Sequence, residues 1–137
     1  MATSRRKSRE LALQILYQME FTNQRGKKVV PLLFTNLASH RTADDFTNRL
    51  VQGVGQYQGE IDQLLKNYSE HWALDRLSSV DRNILRMGIF EILWCNDIPS
   101  KVSINEAIEL GKKFGAEKSA SFINGILDKI AHSEKQK

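Results

Sequence analysis

The chain predicts an all-α fold with about seven helices, and three observations carry that expectation. Apolar residues recur at three- and four-residue spacings through almost every stretch. No stretch alternates with the two-residue period of a half-buried strand. Compact turn signals separate the periodic runs, most clearly Asn96-Asp97-Ile98-Pro99.

The elements follow in order. Ser4 suits the N-cap of a first helix running to about Asn23, with Leu11, Ala12, Ile15, Leu16 and Met19 inward. Gln24 to Lys28 reads as a basic turn. Val29 to Ser39 reads as a second helix, with Pro31 tolerated in its first turn. Thr42 suits the cap of a third helix, where Asp44 and Asp45 complement the helix dipole. Its apolar period runs from Phe46 through Tyr68. Gly53, Gly55 and Gly59 lie inside it, marking either a break into two helices or the close approach of a neighbouring helix; one long helix with a kink is expected. His71 to Ser78 is a short turn.

Val80 to Cys95 is apolar on most sides, as expected of a helix packed on most sides. Ser79 suits its N-cap. Asp81, Arg82, Asn83, Arg86 and Glu91 make up its polar remainder. Glu91 projects between Val80, Ile84 and Met87, so it should be buried and hydrogen-bonded or ion-paired. Ser103-Ile104-Asn105-Glu106 matches a capping box for the next helix, which should bury Ile104, Ala107, Ile108, Gly111 and Phe114 and close at Gly115. A last helix runs from about Ala116 to Ala131 with Ile123, Ile126, Leu127 and Ile130 inward. Residues 1–3 and 133–137 should be flexible tails of a single domain spanning 1–137.

Composition narrows the function. One cysteine, Cys95, excludes an internal disulfide and reads as a core thiol rather than a nucleophile. No signal-peptide core and no membrane-length apolar run is present, so a cytoplasmic protein is expected. His40, His71 and His132 are scattered, and His71 with Asp75 lacks a third ligand. No metal, no cofactor and no phosphate-binding glycine loop is expected. Glu106 and Glu109 fit a cap and a solvated face, so no catalytic pair emerges.

Charge is unevenly placed. Residues 1–50 carry nine Lys/Arg against four acids, while residues 51–137 carry eleven against twelve. Arg5, Arg6, Lys7 and Arg9 crowd the start of the first helix, where the dipole favours anions instead. A bound phosphate chain would relieve both the dipole conflict and the mutual repulsion. On the last helix, Lys118, Phe122 and Lys129 project within a narrow sector beside the apolar stripe. An aromatic ring flanked by cations is a means of holding single-stranded RNA. Packing of Phe122 on a neighbouring helix is the other reading.

RRKSRELALQILYQ, then VDRNILRMGIFEIL, DIPSKVSINEAIELGKKFGAE and FINGILDKIA, together resemble the NusB family of bacterial transcription antitermination factors. The resemblance implies two small helical bundles packed together. It implies a non-enzymatic protein that binds the boxA element of nascent ribosomal RNA together with NusE, a small-subunit ribosomal protein. That complex helps RNA polymerase, engaged through other Nus factors, to read through terminators. The family's arginine-rich motif falls on Arg5, Arg6, Lys7 and Arg9, and its RNA face on Lys118 and Phe122. Its NusE face falls on Tyr17, Asp81 and Arg82. The sequence departs from the family at Lys118, where an acidic residue can occur. The lysine should strengthen the phosphate field and loosen sequence selectivity. The Val80–Cys95 helix is then expected to hold the two RNA surfaces near each other.

Two other readings stay open. A related domain occurs at the N-terminus of an RNA cytosine methyltransferase, although this chain has no methyl-donor site and ends where that domain ends. A self-associating homodimer, with the basic end incidental, is the other.

Overall fold

Alanine is the best helix former, and Ala2 already lies inside the first helix of the computed structural model. The structure describes residues 2–22, 44–69 and 77–135. Among these residues there are five α-helices and no strand. They are α1 (Ala2–Thr22), α2 (Asp45–Tyr68), α3 (Ser79–Trp94), α4 (Ser100–Phe114) and α5 (Ser119–Ile130), followed by one π turn, Ala131–Lys135. The expected second helix, Val29 to Ser39, lies outside the described residues, as do the basic turn at 24–28, Thr42 and most of the 71–78 turn. The chain divides into two compact units, 1–53 and 54–137.

In the first unit, α1 buries Leu11, Ala12, Ile15 and Leu16 as its period predicts, and Leu13 as well. It starts at Ala2, so Ser4 stands within the first turn rather than at the cap. The start of α2 is capped by Asp44. Its Oδ1 accepts from the Thr47 amide at 2.9 Å, and its carbonyl accepts from Asn48 at 3.0 Å. The same carboxylate ties α2 to α1, because the Ser8 hydroxyl donates to Oδ2 at 2.5 Å. Thr47 completes the tie by donating its hydroxyl to the Ser8 carbonyl at 3.2 Å.

α2 is one helix with a break at Tyr57, whose φ of −107° and ψ of 15° leave the helical region. The glycines flanking it account for the break, since they weaken helical backbone there. Close approach of a neighbour does not explain Gly55 or Gly59, because a Cβ at either would meet nothing within 4 Å. The break carries the Tyr57 ring onto Trp94, with centroids 4.3 Å apart and planes at 12°.

α3 is the buried pillar of the second unit. Every residue from Asn83 to Ile92 is buried. Its cap is Ser78, not Ser79: the Ser78 Oγ accepts from the Asp81 amide at 3.1 Å, the third residue on. Arg86 lies on the expected polar edge yet is only 8% exposed. It is tolerated because its guanidinium forks onto Asp62, Nε to Oδ1 at 2.9 Å and Nη2 to Oδ2 at 3.0 Å. Glu91 is buried and hydrogen-bonded as expected, at 2% exposure, accepting from the Ser103 hydroxyl at 2.8 Å.

That bond overturns the capping box. α4 starts at Ser100 behind Pro99, and Ser103 lies inside the helix, turned into the core. The buried stripe of α4 is therefore Ser103, Ala107, Leu110 and Gly111. Phe114 is exposed instead of inward, with the Lys113 ammonium 5.4 Å from its ring centre. Gly111 permits α4 to lie close to α5, since a Cβ there would stand 2.9 Å from Ile123 Cδ1. α5 begins three residues later than its period suggested. It buries Ile123, Ile126, Leu127 and Ile130 as expected. The π turn carries the chain on to Lys135, and Tyr68 donates its hydroxyl to Glu134 Oε2 at 2.5 Å.

Candidate nucleic-acid interface

Two surfaces carry the candidate residues, one in each unit. In the first unit the α1 cations do not behave alike. Arg5, Arg6 and Lys7 are exposed, whereas Arg9 is buried, at 4%. Phe46, the second residue of α2, takes both Arg5 and Arg9. Its ring lies 4.2 Å from the Arg5 guanidinium and 5.1 Å from that of Arg9. Stacking on an aromatic face holds guanidinium groups in a fixed orientation. Arg9, expected in a solvent-facing cluster, is instead buried against Phe46. Asp44 adds a fixed negative charge at the base of this arrangement. Burial pushes its carboxyl up, but hydrogen bonds from Ser8 and Thr47 outweigh this and hold it below the ordinary carboxylate value. Phe46 and Asp44 went unnoticed as parts of this surface, for nothing in their spacing links them to α1.

In the second unit, the starts of α3 and α5 enclose a groove of about 450 Å³. Leu77, Ser78 and Asp81 line it from one side, and Ala116, Lys118, Ser119, Ser121 and Phe122 from the other. Gly115 makes the turn into this wall possible. A Cβ there would stand 2.8 Å from the Gly111 carbonyl and 2.7 Å from Ser119 Cβ. Ser119 fixes the turn by accepting from the Ala116 amide at 2.9 Å. Lys118 is exposed at the N-cap of α5, where no side chain makes a cap bond. Phe122 is half-buried, with part of its ring in the groove wall.

The structure thus brings Lys118 and Phe122 together but not Lys129. That lysine is exposed in the last turn of α5, seven residues and roughly 10 Å of helix beyond Phe122, and does not line the groove. Of the residues assigned to a protein partner, Tyr17 is 37% exposed on α1. Arg82 is half-buried and donates Nη1 to the Leu77 carbonyl at 2.8 Å. Asp81 lines the same groove as Lys118 and Phe122.

The model of the NusB family matches residues 6–132. Among curated proteins, the transcription antitermination protein NusB of Myxococcus xanthus is 46% identical over 132 residues, covering 93% of this chain and 94% of its own length. That of Syntrophus aciditrophicus is 43% identical, covering 92% of this chain and 78% of its own length. Among solved structures, T. maritima NusB aligns with a TM-score of 0.80 at 38% identity, covering 94% of this chain and 91% of that one. A complex of antitermination factors NusB and NusE with double-stranded RNA contains a chain of the same fold. It aligns with a TM-score of 0.81 at 24% identity, covering 97% of this chain and 99% of that one. Both the family match and the relatives run across nearly the full length, and the chain belongs to the NusB family.

Proposed function

We propose that the protein is an RNA-binding transcription antitermination factor that acts by binding alone, with no catalytic step. The observation that carries this reading is the groove in which Lys118 and the half-buried Phe122 share one wall at the start of α5. That set matches a phosphate and a base of a single strand, since bases stack on aromatic rings while cations follow the backbone. Arg5, Arg6 and Lys7 supply a second phosphate surface, in which the Phe46 ring holds the Arg5 guanidinium. Lys129 extends the phosphate track along α5. The relatives are named antitermination proteins, and a NusB of this fold has been captured with NusE and RNA. By extension the ligand here is boxA RNA and the protein partner is NusE, with Tyr17, Asp81 and Arg82 on its face. Action on RNA polymerase, and hence a cytoplasmic location, follow from that assignment. No described helix is long and apolar enough to cross a membrane.

The test is a titration of boxA RNA and scrambled RNA with and without NusE. Tighter binding of boxA in the presence of NusE is expected, and equal affinity for the two RNAs would remove the antitermination reading. The salt dependence checks the cation surface. If Arg5, Arg6 and Lys7 neutralise about three phosphates, log K falls against log salt with a slope of about −2. Binding then weakens roughly 16-fold between 50 and 200 mM salt. Replacing all three by Ala should flatten that slope.

A further inference from the structure

Ser8 fixes the register of α1 against the start of α2. Its hydroxyl donates to Asp44 Oδ2 at 2.5 Å, and its carbonyl accepts from the Thr47 hydroxyl at 3.2 Å. Arg5 and Arg9 stand four residues apart on the same face of the helix as Ser8. Both guanidinium groups consequently meet one ring, that of Phe46, at 4.2 and 5.1 Å from its centre. Arg6 and Lys7 project about 100° and 200° round the helix from Arg5, so they leave this face.

The two ring-bound arginines differ in reach. Arg5 is exposed, whereas Arg9 is buried, as is the Phe46 side chain. A guanidinium meets a ring with its flat face and a phosphate with the N–H donors along its edge, so the two contacts do not exclude each other. A long exposed arginine otherwise loses rotamer freedom when a phosphate fixes it, and that loss weakens binding. Contact with the ring removes part of that loss before any RNA arrives. We propose that Phe46 is a positioning residue for RNA binding, which holds the Arg5 guanidinium ready for a phosphate, and that Arg9 supports the ring instead of contacting phosphate. The arginine-rich start of α1 is then divided between a binding and a supporting arginine, a division that spacing in the sequence does not show. This assignment rests on the RNA-binding reading above.

Fluorescence anisotropy of boxA RNA with the full chain, NusE present, tests the assignment. Phe46→Leu keeps an apolar side chain but has no ring face. It should bind RNA about two- to fivefold more weakly, the worth of one exposed contact between a cation and a ring. Phe46→Tyr keeps the face and should restore the parent's affinity. The decisive measurement repeats Phe46→Leu in two backgrounds. With Arg5→Ala already present it should cost no further affinity, because the ring acts through Arg5. With Arg6→Ala present it should cost the full factor. A ring that only supports the fold would weaken binding in both backgrounds alike, and that result overturns the proposal. So does a Phe46→Leu variant that binds like the parent. Salt dependence tests Arg9. Arg5→Ala should reduce the slope of log K against log salt by about 0.7, the value of one phosphate on a single strand. Arg9→Met keeps the aliphatic stem and should leave the slope unchanged. A drop equal to that of Arg5→Ala would make Arg9 a phosphate contact and overturn the division. Thermal unfolding sets a temperature at which every variant is folded, and if Arg9→Met does not fold, the Phe46 cycle decides without it. A parent protein that binds no boxA RNA, with or without NusE, overturns the RNA reading itself, a result separate from any difference between variants.

Discussion

At the scale of single residues, the protein invests its buried polar groups in holding helices at fixed registers. Glu91 and Ser103 join α3 to α4, the buried hydroxyl donating to the buried carboxylate at 2.8 Å. Ser103→Ala removes a donor from a buried carboxylate, so it should cost about 1–3 kcal/mol, measured by urea denaturation. Arg86 and Asp62 do the same between α3 and the second half of α2. Arg86→Ala should cost about 2–3 kcal/mol. Arg86→Lys should recover little of it, because a single ammonium does not replace the two-pronged contact. Glu91 was legible from sequence, since an acid facing Ile84 and Met87 has to be buried with a partner. The partner was not legible. Ser103 also fits a capping box, and a motif of four residues does not reveal whether its hydroxyl turns to its own helix end or to another helix.

At the scale of elements, caps decided most boundaries. The sequence offers Ser78 and Ser79 side by side before α3. Only Ser78 stands three residues before an acidic residue, and its hydroxyl is the one that meets the Asp81 amide. That spacing was a readable signal, obscured by the adjacent serine. Ser78→Ala should cost about 1 kcal/mol, against a smaller loss for Ser79→Ala, by thermal unfolding. Asp44 is a cap with a pH signature. Its carboxyl lies below the ordinary value, so its contribution is present above the unfolded pKa of about 3.9 and is lost as pH falls through the folded value. Asp44→Asn keeps capping ability without the charge. The gap in urea midpoint between parent and variant should therefore be widest near neutrality and shrink below about pH 4. A widening gap on acidification would show that the carboxylate is not favoured in the folded state. The kink of α2 was half legible. Three glycines marked the place, but the Tyr57–Trp94 stack that uses it joins residues 37 apart in sequence and has no local trace.

At the scale of the whole molecule, the uneven charge sets folding against binding. Arg5, Arg6 and Lys7 crowd the dipole end that disfavours cations, and α1 has no acidic residue in its first turn. The arrangement gains its value when an anion arrives, so RNA should stabilise the fold through mass action. At RNA one hundred times above its dissociation constant, the expected gain is about 2.7 kcal/mol. A triple Ala variant that binds tenfold more weakly should gain only about 1.4 kcal/mol at the same RNA concentration. Without RNA, relief of the repulsion is set against loss of the Arg5 contact with Phe46, so the melting temperatures of variant and parent should lie within about 5 °C of each other. Thermal unfolding of both proteins, with and without RNA, gives all four values. A variant that melts more than about 5 °C lower without RNA would mean that these cations serve the fold first. A variant with an undiminished gain would place the phosphate contacts on Lys118 and Lys129 instead.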